Sequence, residues 1–234
     1  MTFVQLIECR TSRLDEMNRL MDDWVAQTKG RRTATHAVVG KDRSDASHIV
    51  EMVEFPSYEE AMRNSKLPET DQIFREMVAL CDETPTFTDL DVVRDEQLSE
   101  DTVRRFFETI ATAGELPPLN DLLEEDVHSL DPVNPQTTIG MDNVRGEFGM
   151  WRGAFEFSFT VEDVLAQGDQ ACARWTWNAT HTGDFLGIGA TGKRVTMTGM
   201  TLFRFGDEGK IAELWWQHDQ LGLMQQLGAL DELE

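Results

Sequence analysis

The chain has 234 residues, 40% of them hydrophobic, and a formal net charge of −22 at pH 7. That length and apolar content suit two domains of ordinary size, each with its own core. Up to residue 96 there are 12 basic against 20 acidic residues, and after it 9 against 23; two acidic halves disfavour nucleic-acid phosphates and anionic lipid surfaces as partners.

No run reaches the roughly 18 apolar residues that a membrane helix needs. The start, Met1 to Arg10, lacks the charged-then-apolar order of a signal peptide, so the expected location is the cytoplasm. Cys9, Cys81 and Cys172 are far apart, odd in number and without metal-ligand spacing, which reads as reduced packing residues.

Residues 3–9 read as a buried strand. Leu14, Met17, Met21, Trp24, Val25 and Thr28 then mark one face of a helix that Lys29-Gly30 ends. Two strands, 35–39 and 48–55, flank the polar turn 41–45. Ser57-Tyr-Glu-Glu60 opens a second helical region that is broken or bent near Pro68 and resumes through Ile73, Phe74, Met77 and Leu80. A strand over 86–93 closes the unit.

The order β-α-β-β-α-β is that of a ferredoxin-like split βαβ arrangement, in which two helices cover one sheet face and the other stays bare. A bare face invites a homodimer or higher homo-oligomer. On element order alone, the layout weakly resembles the dimeric α+β barrels of antibiotic-biosynthesis-monooxygenase-like proteins. His36, His48 and Trp24 could border an aromatic substrate there, although histidines separated on strands are ordinarily structural.

The acidic stretch 94–101 is the expected junction, since Ser99 with Glu100 and Asp101 makes a good helix start. The domains are therefore read as 1–96 and 97–234. Val103, Phe106, Phe107 and Ile110 form a helical face. A second, short one follows Leu116-Pro-Pro118 at Leu119, Leu122 and Leu123, and Met141, Val144, Phe148 and Trp151 make a third. The period then changes: Phe155, Phe157, Phe159 and Val161 alternate with polar residues, as in a half-buried strand. Strands near 170–181, 193–205 and 210–218 and a helix over 220–227 complete an α+β reading.

Three blocks in the last quarter are distinctive. They are His181-Thr-Gly-Asp-Phe-Leu-Gly-Ile-Gly-Ala-Thr-Gly-Lys193, Gly209-Lys-Ile-Ala-Glu-Leu-Trp-Trp-Gln-His-Asp219 and Gly222-Leu-Met-Gln-Gln-Leu-Gly228. In order and spacing they resemble the SnoaL-like polyketide (ester) cyclases over about residues 98–230. The resemblance implies a nuclear-transport-factor-like, cystatin-type α+β cone with a cavity between sheet and helices. It implies no cofactor and no metal, and a hydrophobic or aromatic small-molecule substrate. No phosphate-binding Gly-rich loop, zinc spacing or nucleophile elbow competes with it.

In that family the position of Asp219 is the acid/base that removes a proton beside a carbonyl and later returns one, leading to aldol-type closure or isomerisation. A carboxylate with an ordinary pKa near 4 needs burial to do this well. The competing reading is that Asp219 is the N-cap of the last helix, hydrogen-bonded to residue 221 or 222. His181 matches the family's turn histidine and is the second catalytic candidate, against a strand-end histidine satisfied by its own loop. Trp175, Trp177, Trp215, Gln217 and His128 are read as substrate-binding, with Gln217 placed inward ahead of His218. The sequence departs from the family in putting Leu130 where a cavity histidine is usual, with His128 two positions earlier, and in lacking both prolines of the turn. Two other functions stay open: cofactor-independent oxygenation of a polyketide-type substrate, and non-catalytic ligand binding.

Overall fold

The computed structural model describes residues 2–95, 98–112, 119–134 and 136–230. Two compact units divide between Asp95 and Glu96. Among the described residues, no helix is long and apolar enough to cross a membrane. The Leu116-Pro-Pro118 stretch lies outside the described residues.

In the first unit, β1 (Phe3–Arg10), α1 (Leu14–Gln27), β2 (His36–Lys41), β3 (His48–Phe55), α2 (Tyr58–Ser65), α3 (Pro68–Leu80) and β4 (Thr86–Asp91) follow one another. The strands form an antiparallel sheet in the order β2-β3-β1-β4. Ser57 caps α2 by accepting the Glu60 N–H. Pro68 stands at the start of α3, where its missing N–H leaves no helical bond unmade. Of the two expectations for Pro68, a bend or a break, the chain takes the break, into two helices.

Period two sends Ile7, Ile49, Val53 and Phe55 toward the helices. They do not make one core. Met17, Leu20, Ile73 and Met77 pack with Cys9 and Ile49, while Phe3, Val53, Phe55 and Ala61 form a separate cluster. On the opposite face Val38, Met52 and Leu90 are 47%, 39% and 40% exposed.

The second unit runs α4 (Leu98–Ala111), α5 (Leu119–Leu122), β5 (Leu123–Leu130), β6 (Thr138–Ile139), α6 (Met141–Ala154), β7 (Phe155–Gln167), β8 (Gln170–His181), β9 (Arg194–Phe205), β10 (Ile211–His218) and α7 (Gln220–Leu227). Its six strands lie in the order β6-β5-β10-β9-β8-β7. β10 pairs in parallel with β5, and the other neighbours are antiparallel. The register is irregular at Val161/Asp163 and at Ile211/Glu213, the kind of bulge that bends and twists a strand locally.

Leu123 belongs to a strand, not to the short helix expected there, because β10 offers β5 a parallel partner that local pattern cannot reveal. One continuous core fills this unit. Phe106 and Phe107 of α4 meet Phe148, Trp175, Phe203 and Trp216 at ring centroid distances of 5.6 to 6.3 Å.

Candidate functional site

The three sequence blocks of the last quarter come together as the anchorage of α7. Asp219 is its N-cap: its Oδ1 accepts the Gly222 N–H at 2.8 Å. At the other end Gly228 adopts φ +84°, the left-handed cap conformation that glycine takes without strain. Lys193 Nζ donates to the Gln226 and Leu227 carbonyls at 3.2 Å each, satisfying groups that have no partner within the helix. Gln226 fastens the helix to β9, accepting the Thr196 N–H and donating to the Thr196 carbonyl at 2.8 Å. Gly183 is forced by closeness, since a Cβ there would overlap the Gly153 carbonyl at the end of α6.

Asp219 is exposed and does not line the cone's cavity. The cap bond is the one that the competing reading of Asp219 expects, with β10 ending at His218 and α7 beginning at Gln220. His181 is fully buried, and its Nδ1 faces Thr191 Oγ1 at 3.1 Å while accepting the Thr191 N–H at 3.3 Å. That loop satisfies one side of the ring. The His181 ring lies 4.9 Å from that of Phe155, tilted to it by 32°, and does not line the cavity.

The cavity is built by other residues. Trp175 and Trp177, which alternate on β8 with exposed or half-exposed neighbours, both line it as their spacing implies. Trp215 and Gln217 do not, and this corrects their expected place: the inward residues of β10 are Leu214, Trp216 and His218. Trp215 is 39% exposed. Two adjacent tryptophans and a bulge at Ile211/Glu213 hide the strand's parity from the sequence, and anchoring it on Asp219 reversed the face.

His128 is likewise on the outer face, level with Glu213 of β10 in a polar groove. Val127 and Ser129 take the inward positions of β5 instead.

Three ionisable side chains line the aromatic cavity: His218 at the end of β10, Asp131 just past β5 and Glu147 on α6. Sequence reasoning missed Asp131 and Glu147. The signal for Glu147 was available, since it sits four residues before Trp151 and three after Val144 on the expected inner stripe of α6. The His218 and Asp131 side chains are only 5% and 10% exposed, with Nε2 and Oδ1 3.9 Å apart. That separation is too long for a hydrogen bond and short enough for charge stabilisation.

Burial pushes the Glu147 carboxyl up from its ordinary pKa, and the Asp131 charge adds to the shift while a bond from the Ser129 hydroxyl opposes it. Trp216 Nε1 also donates to Ser129 Oγ, at 3.3 Å. Glu147 Oε2 and His218 Nε2 are buried without a hydrogen-bond partner among the described residues. The remaining wall includes Trp151, Phe157, Phe159 and Met197, and the enclosed space is about 50 Å³. Among the described residues, no group of His, Cys, Asp or Glu is arranged to hold a metal ion.

A half-wrapped sheet, helices over its concave face and a polar cluster in an aromatic chamber define a cone-type α+β domain. The model of the SnoaL-like polyketide cyclase family matches residues 101–227, and the chain belongs to that family. A candidate SnoaL-like polyketide cyclase from Jannaschia sp. CCS1 has the same fold, with a TM-score of 0.54 and 23% identity over 61% of this chain and 99% of that one. TsrD from Streptomyces laurentii is 29% identical over 58% of this chain and 100% of its own, with a TM-score of 0.51. IdmH, a candidate polyketide cyclase from Streptomyces antibioticus, is 26% identical over 56% and 99%, with a TM-score of 0.50. No curated protein matches the chain.

Proposed function

We propose that the second unit is an acid–base enzyme of the polyketide-cyclase kind, acting on an aromatic or polyketide-like small molecule through His218, Asp131 and Glu147. The observation that carries this is the pair of buried, unpartnered polar atoms, His218 Nε2 and Glu147 Oε2, at one aromatic cavity. Buried polar atoms ordinarily find partners. Those that do not are available to a substrate carbonyl and its neighbouring C–H.

In this reading the neutral His218 imidazole takes the proton from carbon, and Asp131 stabilises the imidazolium that results. Glu147, which holds its proton to higher pH than an exposed carboxyl, donates a hydrogen bond to the carbonyl oxygen on which charge develops and keeps its proton. The enolate carbon then attacks a second carbonyl of the same molecule, and the proton on His218 returns to the alkoxide. A space of about 50 Å³ holds a water or two. A ring-sized substrate therefore enters by parting Trp151, Phe157 and Phe159, the part-exposed members of the wall.

Aromatic 1,3-dicarbonyl esters and α-C–H deuterium exchange, followed by NMR, give the test. His218→Asn and Asp131→Asn are each expected to lower exchange by about 100-fold or more, with Asp219→Asn leaving it within about twofold. Loss of exchange in Asp219→Asn alone would return the acid/base role to that residue.

A second reading, non-catalytic ligand binding, is favoured by the cap bond from Asp219 to Gly222. It predicts saturable binding of the same esters with no exchange.

The first unit is read as a ferredoxin-like domain, supported by the antiparallel strand order β2-β3-β1-β4. Val38, Met52 and Leu90 on its uncovered face support a homodimer. Light scattering on Val38→Lys/Met52→Lys is expected to report a monomer where the wild type reports a dimer.

A further inference from the structure

The first unit contains the larger space of the two, about 310 Å³ between its sheet and its helices. That is the lower end of the range for small-molecule sites, roughly 300 to 1,000 Å³. Trp24 of α1, Phe55 of β3, Phe74 of α3 and Phe87 of β4 line it, with Met21 and Met77 between them. Phe74 and Phe87 meet edge to face at 5.5 Å and are 39% and 43% exposed.

The charged lining is of one sign. Glu51 and Asp71 both border the space, and no Lys, Arg or His is among the residues that do. Asp71 is engaged by Arg75 and stands near the surface. Glu51 differs. It projects from the sheet between Ile7 of β1 and Val39 of β2, its register neighbours, and makes no hydrogen bond or ion pair among the described residues. Desolvation raises its pKa from the ordinary value, as expected for a carboxyl enclosed by apolar groups.

A carboxylate left without a partner in an aromatic pocket is unfavourable until a cation meets it. Aromatic faces attract the same charge. An anionic ligand would meet two carboxylates and no cationic side chain, the other polar members of the wall, Gln5, Asn64, Ser65 and Thr70, being neutral. Trp24 Nε1 is committed to Thr70 Oγ1 at 3.1 Å, so the indole offers its face rather than its N–H.

We propose that the first unit carries a second, independent small-molecule site, in which Glu51 and the surrounding aromatic residues bind an apolar ligand bearing one positive charge, of the arylalkylammonium class. The site does not depend on the acid–base reading of the cone.

Three probes of equal shape test it on the full-length chain: 2-phenylethylammonium, 2-phenylethanol and phenylacetate. Titration calorimetry is expected to rank the ammonium tightest, about tenfold or more over the alcohol, with phenylacetate weakest. Methionine-methyl NMR is expected to show shifts at Met21 and Met77, and none at Met197 in the cone. Glu51→Gln, nearly the same in shape, is expected to erase the preference for the ammonium over the alcohol. Equal affinity for all three probes in the wild type overturns the proposal, as do shifts at Met197 alone or an undiminished preference in Glu51→Gln. The wild-type ranking and the methyl map stand whether or not the variant folds.

Discussion

In the first unit about 310 Å³ stays open between helices and sheet, whereas the cone, with many more aromatic residues, encloses about 50 Å³. The contrast comes from how the cores close. In the cone, Phe106, Phe107, Trp175, Phe203 and Trp216 meet in one contiguous set of rings, so aromatic mass fills the chamber it walls. In the first unit the core is split, and the open space is bordered by Ile73 and Met77 from one cluster and Val53, Phe55 and Ala61 from the other. Family membership and the roomier of these two aromatic-walled spaces therefore lie in different halves of the chain. The unit that the family model covers has its polar groups poised around little space, and the other has more space and, at Glu51, a carboxyl without a partner among the described residues.

Truncation at the two spaces gives the largest expected difference. Trp175 is 1% exposed and its Nε1 donates to Thr201 Oγ1 at 2.9 Å. Trp175→Ala is expected to destabilise the second unit by about 3–5 kcal/mol in urea unfolding. Phe74→Ala, at the rim of the open space, is expected to remove at most about 1 kcal/mol from the first. Equal losses would show that the first unit is as tightly filled as the cone.

A smaller effect separates the carboxyls by pH. Glu51 and Glu147 both have pKa values raised in the folded protein, burial being the largest cause for each. A raised carboxyl pKa means that the folded form gives up its proton less readily than the unfolded one. Each group therefore leaves stability untouched well below the ordinary value of 4.5. It lowers stability as pH rises from there through the folded pKa. Glu51→Gln and Glu147→Gln are each expected to raise the Tm at pH 7.5, with the gain vanishing near pH 4. A gain that persists at pH 4 would mean packing, not charge, governs the site.

The family's three sequence blocks were legible because they are local and contiguous, and their roles follow from that. Lys193, Asp219, Gly222, Gln226 and Gly228 dock one short helix on β9. The polar groups of the cavity are scattered over α6, the end of β5 and the end of β10, and only the closed sheet brings them together. Asp131 carries no local signature, and Glu147 shows itself only by its place on the inner stripe of α6, between Val144 and Trp151. His218 was visible, but its face depended on strand parity, and Trp215-Trp216 is ambiguous on that point. Element order in the first unit was readable from periodicity for the opposite reason: each element shows its own apolar stripe, and the open space arises from how two clusters fail to merge, which no single stripe records.

Asp219 gives the finest distinction between scaffold and chemistry. If it is a cap, Asp219→Ala loses the bond to the Gly222 N–H and is expected to cost about 1 kcal/mol, with α7 the first element to gain amide exchange. Asp219→Asn keeps an acceptor at the same position, so its loss is expected to be no more than a few tenths of that. Both variants then retain α-C–H exchange activity, because His218, Asp131 and Glu147 are untouched. An acid/base Asp219 reverses the pattern: the asparagine variant would keep its stability and lose its activity. The pair therefore separates a helix-docking residue from a catalytic one within a single side chain.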